Sequence, residues 1–151
     1  MKKMILDSLL SKAKTVGVCV VWSKDLKQDT PPTASFKYKT IVMNDNWRNR
    51  DEFIFQLAHE LAHILTGDPY DAALYQRTFK HHALIEHKAN IGAIKLLLPF
   101  YCDYVNQSVA NAPAFVKLFC IPTHLTEDVS RLMCLYYDEK LASCQPTSKF
   151  K

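Results

Sequence analysis

The stretch from Asn49 to Gly67 reads as one helix closed at both ends, and it obliges the rest of the chain to cover it. Asn49 or Asp51 can cap its start, Phe53, Leu57, Leu61 and Ile64 recur at spacings of three and four, and Gly67-Asp68-Pro69 stops it. The spacing predicts a helix from about Arg50 to Thr66 with apolar faces fit for burial.

Elements on either side supply the cover. Met4, Ile5, Leu9 and Leu10 predict a short amphipathic helix over residues 4 to 15, broken by Gly17. The β-branched run Val16 to Trp22 predicts a strand, and Ser35 to Met43 one or two more, closed by the turn-forming Asn44-Asp45-Asn46. A further short helix is expected around Asp71 to Phe79, and a long one from about His82 to Leu98, ending at Pro99. Helix, strands and then helices describe an α+β fold, a small N-terminal β-sheet packed on a mainly helical, zincin-like core. Its 151 residues suit one core over residues 1–100 and a packed helical C-terminal extension over 101–151, polar after Gln145.

Composition narrows the class. With 48% hydrophobic and 23% charged residues the chain is an ordinary globular one. The net charge of +4 is spread along the sequence and is mild evidence for an acidic partner at best. Five cysteines without a Cys-x-x-Cys pair exclude a tetrathiolate centre and suit free thiols in a reducing cytoplasm. Asp7, Lys12 and Lys14 interrupt any signal-peptide core, Val16-Gly17-Val18-Cys19 has valine where a lipoprotein cleavage site needs a small residue, and no apolar run reaches bilayer length. A cytoplasmic protein without membrane association is expected.

The chemistry lies inside the central helix. His59-Glu60-Leu61-Ala62-His63 places two imidazoles four residues apart on one face, their Cβ atoms about 6 Å apart, so both can grip one zinc ion. Glu60 then points beside the metal, where a carboxylate can take a proton from a bound water whose pKa zinc lowers toward about 7. In a chain with six histidines the pattern arises by chance in roughly 1% of cases, so its helical, apolar setting of Leu57, Ala58, Leu61 and Ile64 carries weight. A third protein ligand is still required. Glu86, opening the second long helix, is the choice, with His81, His82 and His87 as rivals and a solvated helix-start glutamate as the bland alternative. Asn90, one turn later, can accept the outer ring N–H of a ligating histidine.

The string Phe55-Gln56-Leu57-Ala58-His59-Glu60-Leu61-Ala62-His63-Ile64-Leu65, then Glu86-His87-Lys88-Ala89-Asn90 and Leu96-Leu97-Leu98-Pro99, resembles the ImmA/IrrE family of metallopeptidase-like proteins over roughly residues 1 to 135. The resemblance implies a gluzincin-like site with His59, His63 and Glu86 as zinc ligands and Glu60 as general base. It also implies a protein substrate, a helix-turn-helix repressor of the kind silencing phage or mobile-element genes. The chain departs from the family at Ala62, where glycine is usual, at Ile91-Gly92-Ala93 in place of a Phe-Ala step, and at Leu98, where methionine is common. None of these removes a ligand.

Oxyanion stabilisation stays open among Tyr70, Tyr75, His81 and His82. Farther on, Ala114 to Pro122 and the run from Thr123 to Met133 predict two helices joined by a tight turn at Cys120-Ile121-Pro122. A groove-reading face there would carry His124, Glu127, Asp128 and Arg131, and two acids oppose phosphates, so direct nucleic-acid binding is disfavoured. Phe115, Phe119 and Tyr136 are expected in the core. Three functions follow, in descending order of support. They are a zinc endopeptidase, a zinc-containing antirepressor or sensor that acts by binding, and a DNA-binding regulator.

Overall fold

A computed structural model describes residues 1–67 and 79–144 of the chain. The short helix expected around Asp71 to Phe79, the Asp68-Pro69 stop, Tyr70, Tyr75 and the polar tail after Gln145 lie outside the described residues, apart from Phe79 itself. The chain divides into two compact units, Met1–Leu97 and Leu98–Lys151. The fold is α+β, with a small mixed sheet and helices for the rest.

In the first unit, α1 (Lys2–Thr15) buries Ile5, Leu9 and Ala13, one residue per turn, and leaves Met4 exposed. Its C-terminus accounts for a correction. Val16 is the helix cap and not the start of a strand, because the N–H groups of Gly17 and Val18 go back to Lys14 O and Ala13 O. That pairing needs a left-handed residue, and Gly17 supplies it at φ +76°. The first strand, β1 (Cys19–Ser23), therefore begins three residues later than the apolar run suggests.

Residues 35 to 43 form a hairpin between β2 (Thr33–Ser35) and β3 (Thr40–Asn44), turning at Lys39 with φ +44°. The sheet order is β1-β3-β2, with β1 parallel to β3 (Cys19 opposite Thr40) and β2 antiparallel to it (Ala34 opposite Ile41). Ile41 and Met43 point from the central strand into the core. Asn44, a turn former by propensity, is fully buried instead. Its Nδ2 donates to Lys27 O (2.7 Å) and Thr30 O (2.8 Å), and its Oδ1 accepts from Asn46 N, which ties down the crossing from β1 to β2.

Asn49 accepts from Asp51 N and opens a 3-10 turn (Arg50–Glu52) that runs into α2 (Phe53–Thr66). Glu52 is held by Trp47 Nε1 (2.7 Å) and Asn49 Nδ2 (2.9 Å), which fixes the entry angle. Nine of the fourteen residues of α2 are buried, on nearly every side, as the apolar string requires. Against it lies α3 (Phe79–Leu97), which is already helical at Phe79, ahead of the expected His82, and buries Ala89, Ala93, Ile94 and Leu97.

At Gly92 the α3 backbone lies close against Ala62 of α2. A methyl group added there would stand 2.8 Å from the Ala62 Cβ, too close for any real pair. Exchanging Gly92 for Ala should cost about 1–3 kcal/mol despite alanine's better helix propensity, since α3 must move off α2. Adding Ala62→Gly removes the clash and nearly cancels the propensity change, so the double variant should melt close to the unmodified protein. Thermal denaturation of the three proteins checks this; two independent, additive losses would contradict it.

In the second unit, α4 (Pro99–Cys102) is followed by α5 (Ala112–Phe119), capped by Asn111 Oδ1 on Ala114 N, and by α6 (Thr126–Ser143). The turn between α5 and α6 puts Cys120 in the left-handed region (φ +53°) and adds one 3-10 turn at Thr123–Leu125. Phe115 and Phe119 are fully buried, ring centroids 4.8 Å apart, and Tyr101 stacks edge-on to Phe115. Tyr136 is only half-buried, and Tyr137 takes the core place expected for it. The Tyr137 hydroxyl donates to Val105 O (2.7 Å), whereas Tyr136 donates to Asp103, which also receives Lys140 Nζ at 2.8 Å. Next to that carboxylate the Tyr136 phenol is pushed up to about 12 by desolvation and by the bond to Asp103. Among the described residues no helix is long and apolar enough to cross a membrane.

Candidate metal centre

The α2 register brings His59 and His63 onto one face. Their Nε2 atoms lie 3.0 Å apart, with the rings nearly perpendicular at 87°. Glu86 reaches over from α3 with both oxygens, Oε2 3.1 Å from His59 Nε2 and Oε1 3.4 Å from His63 Nε2. The carboxylate sits inside α3, two turns after Phe79, and not at the helix opening. Among the described residues these three side chains form a group that could hold a metal ion, their donor atoms all within 4.8 Å of one another. His81 and His87 are exposed and His82 half-buried, and none of them joins the group.

The spacing can be tested against a real ion. Zinc bonds of about 2.0–2.2 Å in a tetrahedron put neighbouring ligand atoms about 3.4 Å apart. The two imidazole nitrogens, 3.0 Å apart, and the Glu86 oxygens, Oε2 3.1 Å from His59 and Oε1 3.4 Å from His63, come within a few tenths of an ångström of that spacing, the carboxylate meeting each histidine with a different oxygen. Two neutral imidazoles and a carboxylate are also the nitrogen and oxygen donors that zinc accepts.

The electrostatics agree with a cation at the centre. Hydrogen bonding by His59 and then His63 holds Glu86 well below the usual carboxylate range, outweighing its partial burial. Burial works to lower the basicity of His59, but the bond to Glu86, the charges of Glu60 and Glu86, and Asn90 together raise it. Glu60 is 8% exposed, and burial lifts its carboxyl to about 7 against the opposing pull of His59 and His63. A carboxyl poised near neutrality suits proton transfer at physiological pH. Leu57, Ala58, Leu61 and Ile64 are buried beside it on α2, as expected.

Asn90 lies on α3 one turn after Glu86 and is near enough to favour a protonated His59, the weakest of the influences on that ring. It does not close a hydrogen bond of good geometry, because His59 Nδ1 is buried without a partner. Gln56 went unassigned in the sequence. It is the one side-chain amide in a helix whose other polar residues are His59, Glu60, His63 and the terminal Thr66, and that isolation is the available signal.

Two imidazoles and a carboxylate from the neighbouring helix could hold a metal ion, with a buried glutamate beside them. Residues 17–100, which contain the sheet, α2 and α3, match the Peptidase_M78 family model, described as the IrrE N-terminal-like domain, and the chain belongs to that family. Its function is accordingly of metallopeptidase type, acting on protein. No curated protein and no solved structure matches the chain significantly.

Proposed function

We propose that the protein is a cytoplasmic zinc endopeptidase that cuts a helix-turn-helix repressor and so releases phage or mobile-element genes. The convergence of His59 Nε2, His63 Nε2 and the Glu86 carboxylate on one point, with Glu60 buried alongside, carries this reading. His59, His63 and Glu86 would be the zinc ligands. Zinc held there supplies Lewis acidity, polarising the scissile carbonyl and bringing a water pKa near neutrality.

Glu60 does the proton work. With its carboxyl near 7 it takes a proton from the attacking water and returns it to the leaving amine. Glu86, kept ionised by both histidines, contributes the negative charge that a divalent cation requires. Asn90 supports the histidine pair from α3. None of the five cysteines forms a disulfide, which suits a reducing compartment.

The DNA-binding alternative has less in its favour. Arg131, the cationic end of the face that would meet phosphates, is engaged by Asp128 at 3.2 Å, and Glu127 lies exposed beside them. Co-expression with the repressor encoded next to its gene tests the reading. A shorter repressor fragment should appear with the unmodified protein and vanish with Glu60→Gln. Relief of repression with the repressor intact would instead support inactivation by binding.

A further inference from the structure

Among the described residues, the buried side-chain polar atoms without a hydrogen-bond partner are His59 Nδ1 and Gln56 Oε1. Such atoms are unfavourable to leave unpaired, and two of them three residues apart on one helix call for a common explanation. At 3.6 residues per turn, Gln56, His59, Glu60 and His63 fall within an arc of about 100°. Helical side chains lean back toward the N-terminus, so the His59 ring lies over the turn that carries residues 55 and 56. The Phe55 ring, 6.1 Å from that of His59, records this lean.

The two atoms are chemically complementary once a metal is bound. A histidine whose Nε2 is committed to an ion carries its proton on Nδ1 and needs an acceptor for it. Gln56 offers a carbonyl oxygen with no other use. The last torsion of a glutamine is broad, so the amide can swing without leaving a favourable rotamer.

We propose that Gln56 is a positioning residue of the metal centre, accepting the Nδ1–H of His59 when Nε2 is coordinated. This rests on His59 being a ligand, as argued above. The pairing fixes the tautomer and ring orientation from within α2 itself, before α3 contributes Glu86.

Zinc affinity, measured by competition with a chromogenic chelator, tests the pairing. Gln56→Leu should bind zinc about 10–100-fold more weakly. Gln56→Glu keeps an acceptor and should bind as tightly as the unmodified protein or more tightly, which separates a lost hydrogen bond from altered packing. In the zinc-loaded protein the His59 Nδ1–H proton resonance should be protected from exchange, and that protection should disappear in Gln56→Leu. Equal affinities for Gln56→Leu and the unmodified protein, or a loss in Gln56→Glu as large as in Gln56→Leu, would overturn the pairing alone. The same holds if Asn90→Ala abolishes the protection while Gln56→Leu keeps it. An unmodified chain that takes up no zinc overturns the ligand assignment together with the pairing.

Discussion

Exchanging Glu60 for Gln should reduce peptide hydrolysis by about 10²–10⁴ while zinc stays bound. The substitution is nearly isosteric and lies among buried neighbours, so α2 keeps its packing. What disappears is the group that accepts a proton. A loss of that size corresponds to about 3–5 kcal/mol of activation free energy, at 1.36 kcal/mol per decade. The change should fall on kcat, because Glu60 acts on water in the transition state and makes no claim on substrate binding. An amide also has no charge to desolvate in a site where burial already lifts the carboxyl to about 7. The folded protein should therefore be no less stable than the original near neutral pH. Steady-state kinetics on a cleaved repressor, with zinc content measured on the same samples, provides the check. Undiminished cleavage at full zinc occupancy would remove Glu60 from the mechanism.

The second large effect is on the metal. Glu86→Ala should weaken zinc binding on the order of a hundredfold or more. Protein zinc sites bind with apparent energies of about 10–16 kcal/mol, or roughly 3 kcal/mol for each of four ligands. At 1.4 kcal/mol per decade that is about two decades for a single ligand. The carboxylate bridges both imidazoles at 3.1 and 3.4 Å, so its removal leaves a two-histidine site on one helix without the anionic ligand that offsets a dication's charge. Zinc that binds the folded chain alone raises its melting temperature by mass action, and that rise should be lost in the variant. Titration with a chelator indicator and melting curves with and without zinc report both. If His82→Ala or His87→Ala produced the loss and Glu86→Ala did not, the third ligand would be misassigned.

The elements that could be read from the residues alone are those whose signals are local. The α2 helix shows as period, cap and stop within nineteen residues, and the histidine pair follows from its register. Glu86 is reachable because the second helix is strongly patterned, although its extent back to Phe79 is not. What could not be read depends on contacts distant in sequence. The residues Val16 to Val18 are β-branched or turn-forming, yet their N–H groups belong to the end of α1, and only the bonds show it. Asn44 has the side chain of a turn former, and burial against Lys27 and Thr30 gives it another task. Tyr136 and Tyr137 are neighbours with one ring type, so composition cannot say which faces the core. Ala62 and Gly92 look like separate departures from the family pattern until the contact between them, which leaves no room for a side chain at Gly92, makes them one feature. Gln56 gains meaning only when its orphaned oxygen is seen beside the orphaned nitrogen of His59.

The central claim is that His59, His63 and Glu86 hold one zinc ion. X-ray absorption at the zinc edge of the loaded protein tests it most directly, because it reports ligand elements and distances with no assumption about activity. The account predicts about one zinc per chain with only nitrogen and oxygen neighbours at about 2.0–2.2 Å, including the outer-ring scattering of two imidazoles. A folded chain that takes up no zinc, or a first shell containing sulfur at about 2.3 Å from any of the five cysteines, would contradict it.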